Sequence, residues 1–232
     1  MMQMKQSGLR QAFLDTVPVM TGYLFLGFGF GILMEQNGYS FLWAGAMSLF
    51  IYAGSMQYAA VGLLTGGAGL ITAALTTLLV NARHLFYGIS MVDAYKGVKG
   101  KPYLIFALTD ETYSLVSKPQ VPDGMTRQAY CLTVSVLDQI YWVSGTVLGG
   151  LVGALLPMDL PGIEFVLTAL FVTIFVEQWL STKDHRPALI GVAGTLVCLW
   201  LFGRDVFLIP SMAVIALTLT VMSRRKKEGK HE

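Results

Sequence analysis

The chain has 232 residues, of which 54% are hydrophobic and 13% charged, and its net charge is +2. Soluble globular domains carry about 25% charged residues; this composition and a mean hydropathy of +0.61 exclude a water-soluble fold and point to an integral membrane protein. The apolar runs lack the period-two alternation that barrel strands need, which leaves an all-α polytopic transmembrane helical bundle.

Residues 1–15 are polar, and the first apolar window, 16–34, is long enough to stay as a span, so a cleavable signal peptide is not expected. Further windows lie at 41–64, 70–92, 129–156, 163–180, 187–202 and 206–222. A hydrocarbon core takes about 20 helical residues to cross. The windows therefore predict about seven spans in one membrane domain covering 1–232. The shorter and more polar stretch 103–117 is set apart, as a re-entrant or interfacial segment.

Orientation follows from the cations. Arg224, Arg225, Lys226, Lys227 and Lys230 crowd the C-terminus, which the positive-inside rule assigns to the cytoplasm. Such a tail is read as a topology signal, and no nucleic-acid partner is expected. Counting back puts 183–186 and 118–127 inside. The loop 96–101 with its three lysines also belongs inside, so 103–117 cannot cross. Three spans before that loop place the N-terminus outside, against the mild contrary pull of Lys5 and Arg10. Windows one to three and four to six would then run in opposite senses, the arrangement of an inverted repeat with halves 14–95 and 129–222. An offset of 121 pairs Gln57 with Gln178, Arg83 with Arg204 and Phe86 with Phe207.

Gly145, Gly149 and Gly153 form GxxxGxxxG, a flat stripe on one helix face that lets a neighbouring backbone approach. Gly27, Gly29 and Gly31 are spaced by two, which does not keep one face. That run either packs or loosens the helix and exposes carbonyls. Cys131 and Cys198 both fall in apolar windows and read as small core residues.

The polar residues inside the windows are few enough to weigh singly. Within 70–92 the run Asn81-Ala82-Arg83-His84 puts a guanidinium where insertion costs about 2.5–3.5 kcal/mol unless a partner or a watery cavity receives it. Arg83 lies nine residues before the window ends, about 13 Å of helix, which is far for snorkelling. A helix interrupted at Asn81 would offer free amides beside this cation, the means by which half-helix N-termini hold a carboxylate. In 103–117, Asp110 and Glu111 point about 100° apart on a helix, so they are a poor acid/base dyad; they face a cavity or cap a surface helix. Asp138 lies ten residues into the fourth window and should face the bundle interior, paired with a cation such as Arg83 or relaying a proton. Gln57, with Ala53-Gly54-Ser55 before it, is the better site amide. Tyr52, Tyr58 and Tyr87 offer hydroxyls or ring faces, although membrane aromatics more often pack or anchor.

Enzyme chemistry has little support. HExxH, GxSxG and P-loop strings are absent, and His84, His185 and His231 are scattered, so neither a metal nor a cofactor is expected.

The strings Tyr52-Ala53-Gly54-Ser55-Met56-Gln57, Asn81-Ala82-Arg83-His84-Leu85-Phe86-Tyr87-Gly88 and Thr109-Asp110-Glu111, with Tyr141-Trp142 followed by Gly145-Thr146 and Gly149, resemble the AzlC family, the large subunit of bacterial branched-chain amino acid exporters. The resemblance runs from about residue 14 to beyond 153. It implies a multi-pass protein of the bacterial inner membrane that exports leucine, isoleucine, valine and sometimes methionine. It also implies a small AzlD-type partner subunit of about four helices. A zwitterionic substrate with an apolar tail needs an anion hole, an ammonium acceptor and an aliphatic pocket. Arg83 and the amides near Asn81 would take the carboxylate, with His84, Tyr87 and Gln57 alongside. Asp110 or Asp138 would take the ammonium in competition with a proton, Glu111 being the third carboxylate of that set. Phe28, Phe30 and Phe86 would line the side-chain pocket. The rival reading is a channel or a non-transporting membrane scaffold with structural charge pairs.

Overall fold

A computed structural model describes residues 2–117, 119–156, 182–203 and 207–228 and scattered positions between 165 and 180. All regular structure among them is helical. Residues 1–168 and 169–232 form two compact units, each described by itself.

The first unit is organised by two long helices, α1 (Met2–Gln36) and α8 (Arg127–Leu155). Both are long and apolar enough to cross a membrane. Their glycines interlock. A methyl on Gly27 would meet the Trp142 carbonyl, and one on Gly31 the Thr146 carbonyl; in return Gly145 faces the Leu24 carbonyl and Gly149 that of Phe28. Backbone against backbone is the closest approach two helices can make, and it gains dispersion contacts that lipid does not offer. Gly27 and Gly31 are four residues apart and so share one face; that pair packs on α8, while Gly29 is buried between them in sequence. Thr16 with Tyr141 (3.1 Å) and Asp15 with Tyr130 (3.0 Å) add polar ties along the seam.

The register is parallel: Gly8 lies by Met125, Gly27 by Trp142 to Thr146, and Ile32 by Gly153. Loop charges counted back from the C-terminus give the two helices opposite senses, so the structure corrects that count. The cause lies in the window 41–64. It is not one helix but two, α2 (Phe41–Phe50) and α3 (Gly54–Thr65). Ten residues of α2 reach only about 15 Å. Gln57 Nε2 donates to Ser48 Oγ at 3.0 Å, a contact impossible across nine residues of straight helix, so α3 folds back along α2. Tyr52 in the bend holds φ 46°, the left-handed region that non-glycine residues rarely occupy and that costs of order 1 kcal/mol.

Next come α4 (Leu70–Val80) and α5 (Ala82–Ser90). They are separated by Asn81 alone, the position at which the sequence predicts an interruption. The stretch 103–117 is likewise two short helices, α6 (Lys101–Phe106) and α7 (Asp110–Val116). Lys99 carbonyl bonds Gln128, Tyr103 hydroxyl bonds Gln139, Thr112 bonds Asp138, and Val116 packs with Tyr130. Measured along α8, α6 runs toward its middle and α7 runs back. Leu104, Leu108, Val116, Tyr130, Cys131 and Val134 form the core at this end with Ala12, Met91 and Tyr95.

In the second unit α9 (Arg186–Phe202) and α10 (Leu208–Glu228) pack together where Gly194 approaches Ile215. Most of the window 163–180 lies outside the described residues, as do Gln178 and Arg204 of the offset-121 pairs. Cys131 and Cys198 are free and buried. Phe50, Leu70, Ile71 and Trp200 are 74–89% exposed, an apolar exterior that water would not tolerate and lipid would.

Candidate functional site

Two interrupted helix pairs, α2/α3 and α6/α7, therefore meet α8 near its middle. Asp138 is the twelfth residue of this 29-residue helix, about 5 Å short of the midpoint. The bends α2/α3 and α6/α7 approach this level from opposite ends, and Tyr52 and Phe106 bring their rings to 6.1 Å.

Asp138 is fully buried. Its Oδ2 accepts from Thr112 Oγ1 at 2.8 Å, and Oδ1 has no hydrogen-bond partner among the described residues. Thr112 sits there because Thr109 caps α7: the Thr109 side chain accepts from the Thr112 amide at 3.2 Å, the usual N-cap geometry. Thr109 Oγ1 also lies 3.0 Å from Thr112 Oγ1 and 2.6 Å from the Tyr23 hydroxyl. Tyr23 in turn donates to Glu111 Oε2 at 2.7 Å, and its ring stands edge-on to Trp142 at 5.4 Å. Three helices, α1, α7 and α8, are joined by this one row of hydroxyls.

Beside it, α5 runs along α7. His84 Nε2 lies 3.9 Å from Asp110 Oδ1, an ion pair if the imidazole is protonated but too long for a direct hydrogen bond. Both side chains keep about a quarter of their surface. Tyr87 stacks on Tyr113 at 4.6 Å, and Ser90 Oγ reaches the Tyr113 hydroxyl at 3.0 Å. Arg83 lies in the first turn of α5 and Phe86 in its middle; the side chains of both lie outside the described part, so an Arg83–Asp138 pair has no geometry here.

The other expected site residues divide. Gln57 is fully buried and engaged: its Nε2 binds Ser48, its Oε1 accepts from Trp142 Nε1 at 3.0 Å, and Ser48 binds Thr146 at 2.9 Å. This amide clamps the α2/α3 bend to α8. Phe30 is buried with its ring edge-on to Tyr58 at 5.4 Å. Phe28 faces another side of α1, into a shallow recess with Met20, Leu24, Phe25 and Leu148. The structure thus brings His84, Tyr87, Asp110, Glu111 and Asp138 together around α7 and separates Phe28 from Phe30. Tyr23 and Thr112 escape sequence reasoning: a lone tyrosine in an apolar window carries no signal, and only the T-x-x-T spacing after Thr109 hints at the second. Among the described residues no group of three or more His, Cys, Asp or Glu is arranged to hold a metal ion.

The model of the family described as "AzlC protein" matches residues 18–156. The chain belongs to the AzlC family. A Bacillus subtilis relative named "Branched-chain amino acid transport protein AzlC" is 42% identical over 94% of this chain and 86% of its own length. A relative from Haemophilus influenzae, named "Uncharacterized membrane protein", is 43% identical over 89% of this chain and 85% of its own. One from Helicobacter pylori, strain 26695, also an uncharacterized membrane protein, is 40% identical over 94% and 95%. No solved structure matches the chain. Family, relatives and apolar helices together make this AzlC protein a membrane protein with transmembrane helices.

Proposed function

We propose that this protein exports branched-chain amino acids, namely valine, leucine and isoleucine and also methionine, across the bacterial inner membrane in exchange for protons. A small AzlD-type subunit of about four helices is its partner. The Bacillus relative named for branched-chain amino acid transport supports the substrate class. The observation that carries the mechanism is the convergence of interrupted helices on a buried carboxyl, Asp138, in an otherwise apolar molecule. Broken helices that meet at mid-depth are how secondary transporters bind small charged substrates.

In this mechanism Arg83 and the amides that follow Asn81 receive the substrate carboxylate. His84 and Tyr87 flank it on α5. The ammonium is taken by Asp110 or Asp138, with Glu111 nearby, and competes there with a proton. Occupation by one excludes the other, which links the two fluxes. Phe30 and Phe86 line the apolar pocket; Phe28 faces elsewhere and is left out.

Topology follows the same proposal. With 41–64 and 103–117 as hairpins that enter and return, the crossings are α1, α4 with α5, α8, the window 163–180, α9 and α10. Both termini are then cytoplasmic. Lys5 and Arg10, the lysine loop 96–101, Lys183 and the basic C-terminus all fall on the positive side.

The test is efflux of labelled valine from cells expressing Arg83→Ala or Asp110→Asn at wild-type membrane levels. Each substitution removes a charge-assisted contact worth about 1.5–3 kcal/mol and should slow export about tenfold to a hundredfold. Wild-type rates in both would remove these residues from the site.

A further inference from the structure

We propose that Tyr23, Thr109 and Thr112 form a hydroxyl relay that carries one proton between Glu111 and Asp138. The relay rests on the proton-exchange reading for its role in the cycle. Its geometry does not. Glu111 Oε2 and the Tyr23 hydroxyl are 2.7 Å apart, Tyr23 and Thr109 2.6 Å, Thr109 and Thr112 3.0 Å, and Thr112 and Asp138 Oδ2 2.8 Å. All four distances are within the range of O–H···O hydrogen bonds.

Each of the three hydroxyls owns one proton and can donate once. The row therefore has two fully bonded polarities. In one, protonated Asp138 donates to Thr112, Thr112 to Thr109, Thr109 to Tyr23, and Tyr23 to the Glu111 carboxylate. In the other, protonated Glu111 donates to Tyr23 and the sense reverses, ending on the Asp138 carboxylate. Passing from the first to the second breaks the O–H bond on Asp138 and forms one on Glu111. Each hydroxyl between them receives one proton and releases one, so no charge is created along the way. A single proton shared by the pair completes the row in either sense, and two bare carboxylates leave one hydrogen bond unmade.

Burial explains why such a path is needed. Asp138 and Thr112 are fully buried, and Tyr23 and Thr109 nearly so, whereas Glu111 keeps part of its surface. Asp138 therefore exchanges with water through its neighbours. The other titratable groups that face it are Tyr52 from the α2/α3 bend, Tyr103 from α6 and Tyr130 on its own helix. Tyr103 is bonded to Gln139 and Tyr130 to the Asp15 carboxylate, whereas the hydrogen bond on Asp138 comes from Thr112. Asp110 and His84 stand next to Glu111 at the start of α7, where a proton can be passed on.

The experiment follows the infrared carboxyl band of the purified full-length protein in lipid discs on transfer to heavy water. The expected band is removed by Asp138→Asn. Its deuterium shift slows about tenfold or more in Tyr23→Phe and in Thr112→Val, and Thr112→Ser restores it. An unchanged exchange rate in Tyr23→Phe overturns the relay, as does the absence of any band that Asp138→Asn removes. In parallel, the ratio of pH-driven valine flux to valine counterflow in vesicles should fall about tenfold in Tyr23→Phe. Wild-type protein without counterflow would sink the exporter reading alone, because the infrared measurement decides the relay without any transport.

Discussion

The hydroxyls of Tyr23 and Thr109 lie 2.6 Å apart although 86 residues separate them. This contact joins the long helix α1 to the cap of a seven-residue helix too short to hold its own position. Through Thr112 it places a donor on Asp138, and through Tyr23 a donor on Glu111. The site is thus assembled by tertiary contacts between broken helices rather than by any one element.

The α1/α8 seam gives a steric prediction. Gly31→Leu and Gly149→Leu drive a side chain into a facing backbone, which costs at least the ~1–3 kcal/mol of overpacking. Both should lower the thermal unfolding midpoint of the purified protein. Gly22 has nothing within 4 Å of a methyl, so Gly22→Ala should not lower the midpoint. Equal behaviour of all three variants would mean that the seam is elsewhere.

Gln57→Leu removes the clamp between the α2/α3 bend and α8. The Trp142 indole N–H is left without its buried acceptor, at about 1–3 kcal/mol, while Ser48 keeps its bond to Thr146. A lowered unfolding midpoint together with lost export is expected. Full stability would show that the bend is held by other contacts.

The hairpin reading of 41–64 makes a sidedness prediction. In a protein with Cys131 and Cys198 replaced, single cysteines at Asn37 and Gly67 should both react with an impermeant thiol reagent from the outside. Cysteines at Ser7 and Gly124 should react only after the membrane is opened. A straight crossing by 41–64 would instead put Asn37 and Gly67 on opposite sides.

Proton exchange has a definite sign. A proton entering as an amino acid leaves means that an acidic exterior accelerates export and an alkaline exterior slows it. Efflux of labelled leucine from preloaded vesicles under an imposed pH gradient measures this. Efflux indifferent to the gradient would remove the proton and leave the exporter in place.

Much of this was legible in the sequence where a residue type is costly. Arg83 and His84 in an apolar run announce an interrupted helix, and the helices do part at Asn81. The glycine stripe of α8 announces a close neighbour, though not that Gly27 and Gly31 supply it. The bend at Ile51 to Ala53 is silent, because an apolar run without proline or charge looks the same straight or folded. What folds it is Gln57 reaching Ser48, a tertiary contact, and the missed bend makes α1 and α8 antiparallel by loop count where they pack in parallel. Tyr23 is silent for the same reason: its value comes from α7, not from its neighbours in sequence.

A carrier for branched-chain amino acids, as proposed, shows counterflow. Vesicles containing the protein, with and without the proposed AzlD-type subunit, are loaded with unlabelled leucine and placed in a trace of labelled leucine. A carrier accumulates label transiently above equilibrium, faster with leucine, isoleucine, valine or methionine inside than with an acidic or basic amino acid. Uptake that ignores the internal amino acid would mean a channel, and no uptake a scaffold; either result rules out a branched-chain amino acid carrier.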